Sequence, residues 1–266
     1  MSVSSSGYYA WLSRPECKRT SENRMLLAHI RRIHTESHEA YGYLKTWHAL
    51  MQEGISCGRH RVARLRKENG IEAKRKRRFR TTCRTRHNYP ASPDMLKQAF
   101  YFPDKDKAWV GDTTFIPTRS GRLYLAVMLD LYSRRIVGWA MGGRNDQELV
   151  GKALTMAIQH RKPKPGLIHH SDQGATYTSA SYREIIISNG LVSSMSRKGK
   201  CHDNAVVESF FSNLKNELIY NQSFKNRDEA MLEIFKYIEM FYNRKRIHAY
   251  LGYQSPVSFE SYQHVP

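Results

Sequence analysis

Acidic side chains are scarce in this chain. Among 266 residues, 24 Asp and Glu stand against 43 Lys and Arg, a formal net charge of +19 with His counted neutral. Such an imbalance points to a polyanionic partner, nucleic acid before an anionic membrane surface. Long apolar runs are also missing. None approaches the ~18 residues a spanning helix needs, which excludes an integral membrane protein of the helical kind. The first residues lack a basic stretch followed by an apolar one, so no secretory signal is expected. Cysteine is sparse: Cys17, Cys57, Cys83 and Cys201 lie far apart and form no CxxC pair. Reduced thiols and a cytoplasmic setting are the expectation. No internal repeat is visible. What the chain does have is 40% hydrophobic and 11% aromatic residues, enough to bury a core. At about 100–200 residues per domain, one large domain and a smaller one are expected.

The positive charge is concentrated. Between Arg59 and His87 there are 13 Lys and Arg against Glu68 and Glu72. Arg59, Arg61, Arg64, Arg66, Lys74, Arg75, Lys76, Arg77 and Arg78 are the candidates for phosphate contact in this tract. Ahead of it, Met25, Leu26, His29, Ile30 and Ile33 form one stripe at helical spacing. Tyr43, Leu44, Trp47, Leu50 and Met51 form a second, which Gly54 ends. A third, basic helix follows with Ser56 as its expected N-cap and Val62, Ala63 and Leu65 turned inward. Two helices, a short turn and a basic third helix predict a helix-turn-helix-like DNA-binding domain over residues 21–80, after a tail at 1–20. Pro90, Pro93 and Pro103 mark residues 81–105 as a linker.

From residue 106 to 266 the texture changes. Residues 108–117, 122–132 and 135–141 read as consecutive antiparallel strands joined by short turns. An amphipathic helix at 147–160 follows, then a short strand at 166–170, a helix at 181–189, a strand at 191–194, and helices at 204–218 and 230–242. The order β-β-β-α-β-α-β-α predicts an α/β fold, a five-stranded mixed sheet flanked by helices in the ribonuclease-H-like arrangement.

In so basic a chain, acids placed at strand ends stand out. Asp112 interrupts an apolar strand, Asp172 follows a short buried one, and Glu208 lies one turn into a helix; 35 residues separate the last two. Taken singly, each has an ordinary explanation: a bulge, a turn, a helix surface. Together, three carboxylates from two strands and a helix can hold two divalent metal ions about 3.5–4 Å apart for in-line phosphoryl displacement. Lys215, seven residues after Glu208, shares its helix face and could reach DNA beside the metals.

The motifs WVGDTTFI, LDLYSRRIVGWAM, HHSDQGATYTS, SRKGKCHDNAVVESFFSNLKNEL and FYNRKRIHAYLGYQSP resemble the catalytic protein of insertion-sequence transposases with an Asp-Asp-Glu triad, in the retroviral-integrase-like superfamily. The resemblance covers roughly residues 20–262. It implies Asp112, Asp172 and Glu208 as the catalytic ligands of two Mg²⁺ or Mn²⁺ ions, hydrolytic nicking at transposon ends, and transesterification by the freed 3′-hydroxyl without a covalent protein–DNA intermediate. It further implies double-stranded DNA as partner, a homo-oligomer on that DNA, and an upstream-frame protein carrying the leucine zipper that this chain lacks. The alternatives are a DNA-binding regulator without catalysis and a nuclease of the same fold that cuts without joining.

Weaker signals complete the reading. Asp130 could be an additional acid or a partner of Arg134 or Arg135. The pairs His34/His38 and Cys57/His60 have zinc-like spacing, but their helices carry apolar stripes and need no metal to fold. Arg244 and Arg246, interleaved with Tyr242, His248 and Tyr253, could grip phosphates, or the segment could pack back on the catalytic core with Leu251 and Tyr253 as anchors. His169 and His170 read as buried structural residues. Arg197–Lys200, with Asp203 and Asn204, read as a mobile loop before the last catalytic helix.

Overall fold

Residues 4–74, 92–97, 100–196 and 204–262 are described by the computed structural model. The chain divides into two compact units, Met1–Lys74 and Arg75–Pro266.

Four helices make up the first unit: α1 (Ser5–Leu12), α2 (Lys18–Glu36), α3 (Tyr43–Gln52) and α4 (Arg59–Glu68). Leu26, Ile30 and Ile33 of α2, Leu50 of α3, and Val62 and Leu65 of α4 are buried, each at helical spacing within its element. Gly54 ends α3 with φ +76°. Its N–H bonds Met51 O and that of Ile55 bonds Leu50 O, closing the helix in the left-handed cap only glycine enters cheaply. Gly58 rather than Ser56 stands at the N-cap of α4. The stretch read as a tail contains α1, which Ser4 caps and which buries no side chain.

In the second unit β1 (Ala108–Thr118), β2 (Gly121–Asp130), β3 (Ile136–Gly142), β4 (Ile168–Ser171) and β5 (Val192–Met195) form one sheet in the order β3-β2-β1-β4-β5. The β1/β2 and β2/β3 pairs are antiparallel; β1/β4 and β4/β5 are parallel. Helices α5 (Gln147–Arg161), α6 (Ala180–Ser188), α7 (Ala205–Glu217), α8 (Arg227–Phe235) and α9 (Pro256–Tyr262) complete the unit. This is the ribonuclease-H-like mixed sheet flanked by helices that the strand and helix order predicts.

Alternation along β1 divides the core. Ala108, Val110 and Ile116 pack with Val207, Phe210, Phe211 and Leu214 of α7. Trp109 packs with Leu149, Val150, Ala153, Leu154 and Ala157 of α5 and with Tyr182 and Ile186 of α6. Helix α5 lies so close to β3 that a Cβ on Gly138 would meet Ala153 O at 2.3 Å.

The helix expected at 230–242 is instead α8 followed by a π-helical stretch, Lys236–Tyr242. The wider winding accompanies the burial of Tyr237, Ile238, Phe241 and Tyr242. Just past it, Asn243 brackets the start of β3, with Ile136 N donating to its Oδ1 at 2.9 Å and its Nδ2 donating to Ile136 O at 3.0 Å. Among the described residues no helix is long and apolar enough to cross a membrane.

Candidate active site

Strand register brings the two aspartates together. Ala108, Trp109 and Val110 of β1 pair in parallel with Ile168, His169 and His170 of β4, each partner 60 residues further on. Asp112 and Asp172 differ by the same 60, so the register that ends at Val110 and His170 brings the two aspartates to neighbouring positions two residues further on, and Asp112 feels the charge of Asp172. Asp172 is the residue after β4, and its Oδ1 accepts the Gly174 N–H at 2.9 Å, the side-chain-to-backbone turn that Asp favours. Asp112 Oδ1 accepts the Thr113 N–H at 2.7 Å.

Glu208 reaches the same place from α7. Phe210 and Leu214 seat that helix against β1, burial worth about 1.5–3 kcal/mol each. Glu208 is exposed in its first turn, and Lys215 is half-buried two turns later.

The electrostatics tie these groups into one site. Burial first, then the charge of Asp172 and that of Glu208, push the Asp112 carboxyl up to about 8, against the Thr113 amide and the Lys215 ammonium, which pull it down. Lys215 is itself lowered by burial, with Asp112 opposing. Tyr177, whose hydroxyl is buried without a partner among the described residues, is raised far above its usual range by burial and by Asp112 and Asp172 among its neighbours. An oxygen-donor acid whose proton affinity is raised by two further acids is the kind of donor a hard divalent cation relieves. Among the described residues no three His, Cys, Asp or Glu side chains stand at metal-ligand spacing. The acids therefore share a field without forming a ready-made ligand cluster.

The cations expected at DNA fall into separate groups. Arg59 and Arg64 are exposed on α4, Arg64 lying 3.8 Å from Glu68. Arg61 donates to Asn23 Oδ1 at 2.7 Å and pairs with Glu22 at 3.3 Å, and Lys74 pairs with Glu39 at 3.2 Å. Arg244 is exposed. Arg75, Lys76, Arg77 and Arg78 lie outside the described residues, as does the loop at 197–203.

Two of these expectations are corrected by burial. Arg66 is 4% exposed and donates to Thr46 Oγ1 and Tyr41 O, both at 2.9 Å, so it ties α4 to α3 and the turn before it. Arg246 is 5% exposed and clamps Glu217, the last residue of α7, at 2.7 Å. Tyr237 donates to the same carboxylate at 2.7 Å. Charge counting along the sequence cannot register an acid 29 residues away; the sign that it belongs to the core is Glu217's place on α7 beside Leu214 and Leu218.

Asp130 turns away from the site. Its oxygens accept the N–H groups of Tyr132 and Asp106 at 2.7 and 2.8 Å, with Arg161 at 3.6 Å, in place of the expected Arg134 or Arg135 side chains. His169 and His170 are buried, bonded to Tyr182 Oη at 2.7 Å and Ser194 Oγ at 2.8 Å. Phe115, three residues beyond Asp112 on the part of β1 that outlasts its parallel neighbour, is exposed, with the Arg122 guanidinium and the Lys215 ammonium over its ring.

Comparison with known proteins follows the same division. Residues 103–201 and 208–263 match two family models described as Integrase core domain, and residues 21–79 match one described as HTH-like domain. The chain is 45% identical over 262 residues to the Insertion element IS600 uncharacterized 31 kDa protein of Shigella sonnei, covering 98% of this chain and 96% of that one. It is 41% identical over 251 residues to the Transposase for insertion sequence element IS904 of Lactococcus lactis subsp. lactis, covering 94% and 99%. Among solved structures, a chain of the simian T-cell lymphotropic virus intasome, in complex with PP2A regulatory subunit B56 gamma, shares the fold at 14% identity, with a TM-score of 0.53 over 84% of this chain and 76% of that one.

Proposed function

The chain belongs to the insertion-sequence transposases with an integrase core, and on that premise we propose that it cuts DNA at transposon ends and joins the freed 3′-hydroxyl to target DNA. What supports this reading is the placing of Asp112 on β1, Asp172 just after the parallel neighbour β4 and Glu208 in the first turn of α7, the β1/β4 register matching the 60-residue interval between the two aspartates.

These three acids would hold two Mg²⁺ or Mn²⁺ ions. Such a pair, when bound, supplies an activated nucleophile and stabilises the attacking and leaving oxygens of an in-line displacement. Asp112 must give up the proton its neighbours favour before it can bind a cation, so ion binding releases a proton and weakens as pH falls below about 8. The amides of Thr113 and Gly174 set the direction in which the two aspartates turn. Lys215, within the field of Asp112, would hold the phosphate beside the reacting one. Asp112 sits mid-strand on rigid backbone, which suits a site that must align a nucleophile and leaving group.

In this reading the HTH-like unit grips double-stranded DNA through Arg59, Arg61, Arg64, Lys74 and the tract Arg75, Lys76, Arg77 and Arg78, with Arg244 assisting from the catalytic unit. The protein acts in the cytoplasm, as a homo-oligomer on DNA and with an upstream-frame protein. The test is Asp112→Asn. It should abolish Mg²⁺-dependent cutting of end-containing DNA while leaving salt-sensitive DNA binding nearly intact. A wild-type protein, supplied with its upstream-frame partner, that never cuts such DNA would return the reading to a DNA-binding regulator.

A further inference from the structure

We propose that Phe115, between Arg122 and Lys215, is a stacking platform for an unpaired nucleobase next to the phosphate that the site cuts. The inference rests on the cutting activity proposed above for where the base lies, but the platform itself is read from separate residues. Phe115 is 45% exposed although it belongs to the central strand of the sheet. The cause is topological: β4 ends at Ser171, so β1 runs on past Asp112 without its parallel neighbour. The Arg122 guanidinium lies 5.0 Å from the ring centroid and the Lys215 ammonium 5.7 Å. Lys215 also acts on Asp112, so one ammonium links the ring to the acids.

The platform is held firmly. Arg119 N donates to Phe224 O at 3.0 Å, and Arg227 Nε donates to Arg122 O at 3.0 Å, pinning the β1/β2 turn from behind. An exposed ring with cations over it combines what single-stranded nucleic acids use: a base stacks on the exposed part of the ring and draws the cations to its flanking phosphates. A paired base inside a duplex cannot reach such a ring. The platform therefore selects a nucleotide that has left the stack, as at a frayed or nicked end.

The experiment compares the full chain on a blunt duplex and on the same duplex with a short single-stranded tail carrying 2-aminopurine at its first unpaired position. Wild type should prefer the tailed duplex and quench the 2-aminopurine. Phe115→Ala should lose the quenching and roughly tenfold of tailed-duplex affinity, with blunt binding and thermal unfolding unchanged; Phe115→Trp should restore both. Arg122→Ala should lower the slope of log affinity against log salt by about one, whereas Phe115→Ala should not. The proposal is overturned if Phe115→Ala keeps the quenching and the tail preference, or if it weakens blunt and tailed binding equally. Asp112→Asn should quench like wild type. A protein that stacks the base yet never cuts removes the catalytic reading, whereas one that cuts while Phe115→Ala behaves like wild type removes the platform.

Discussion

Two clusters of acids lie along the same central strand, and they resolve their charge in opposite ways. Near the start of β1, Asp106, Asp130 and Glu260 gather around Arg161, which meets Glu260 at 2.9 Å and Asp106 at 2.8 Å. Arg135 and Ser133 add further bonds to Glu260, each at 2.7 Å. Glu260 is held below its usual range there: burial works against this, and the Arg161 and Ser133 bonds overcome it. Further along β1, Asp112 has Asp172 and Glu208 as its charged neighbours, and repulsion outweighs the Lys215 attraction. Asp130 shows that a raised carboxyl alone does not separate the two. Burial pushes it up to about 7, yet two amides and a guanidinium engage its oxygens. The distinction is how far a cation of the protein offsets the acids: Arg161 bonds the first cluster directly and makes it a staple, whereas at Asp112 repulsion outweighs Lys215, which is why the second cluster is the one proposed for an ion.

Mutation breaks this comparison most sharply at Asp112. Asp112→Asn should cut DNA at below about one-thousandth of the wild-type rate, because several kcal/mol of transition-state stabilisation by metal is lost. Its folding stability should move the other way. With a native pKa near 8 against about 3.9 in the unfolded chain, Asp112 holds a proton in the folded state that the unfolded state has released. Wild-type stability in metal-free buffer should therefore fall as pH rises between those values, and the Asn variant should escape that loss in urea unfolding at pH 8. A variant that is both inactive and less stable at that pH would place Asp112 with the staples.

Arg161→Met reverses the pattern. Removing one partner from a buried cluster costs about 3–5 kcal/mol, so its urea midpoint should drop markedly. The protein that stays folded at low temperature should still cut DNA. Smaller again is the effect of added cations: Mg²⁺ or Mn²⁺ at a hundredfold over its dissociation constant should stabilise wild type by about 2.7 kcal/mol and Asp112→Asn by clearly less. Equal stabilisation of both would mean the ions bind elsewhere.

How much of this was legible depends on whether the deciding contact was local. The strands around Asp112 and Leu125 and the helix bearing Val207 and Phe210 announce themselves by apolar pattern, and so does the helical stripe ending at Gly54. The 60-residue interval between the aspartates is in the sequence, but it acquires meaning only from the parallel β1/β4 register. Arg66 and Arg246 carry the same charge as their neighbours, and only the packing of Thr46 and Glu217 against them takes them out of the DNA-binding set. The π-helical turn before Asn243 is equally invisible, since four buried aromatic and aliphatic side chains, not propensity, accompany that winding. Helix α1 eluded the pattern because Tyr8, Tyr9, Trp11 and Leu12 give it no inward face to read.

A finer test lies between the two clusters. In the sheet, Trp109 is flanked by Asp130 on β2 and His169 on β4, so His169 sits in the cross-strand row where the staple gives way to the site. Burial, with a smaller push from His170, drives the His169 imidazole down to about 3. The native state therefore keeps it neutral where the unfolded chain, near 6.5, takes up a proton. Its contribution is fully present above about 6.5 and is lost progressively as pH falls towards 3. Each pH unit below 6.5 should cost about 1.4 kcal/mol through this residue. His169→Gln, whose amide can still meet Tyr182 Oη, should flatten the stability loss between pH 7 and pH 5.5 by about that amount, whatever its absolute stability. The same slope in both proteins would mean that acid opens the sheet elsewhere, with Glu260 the next residue to replace.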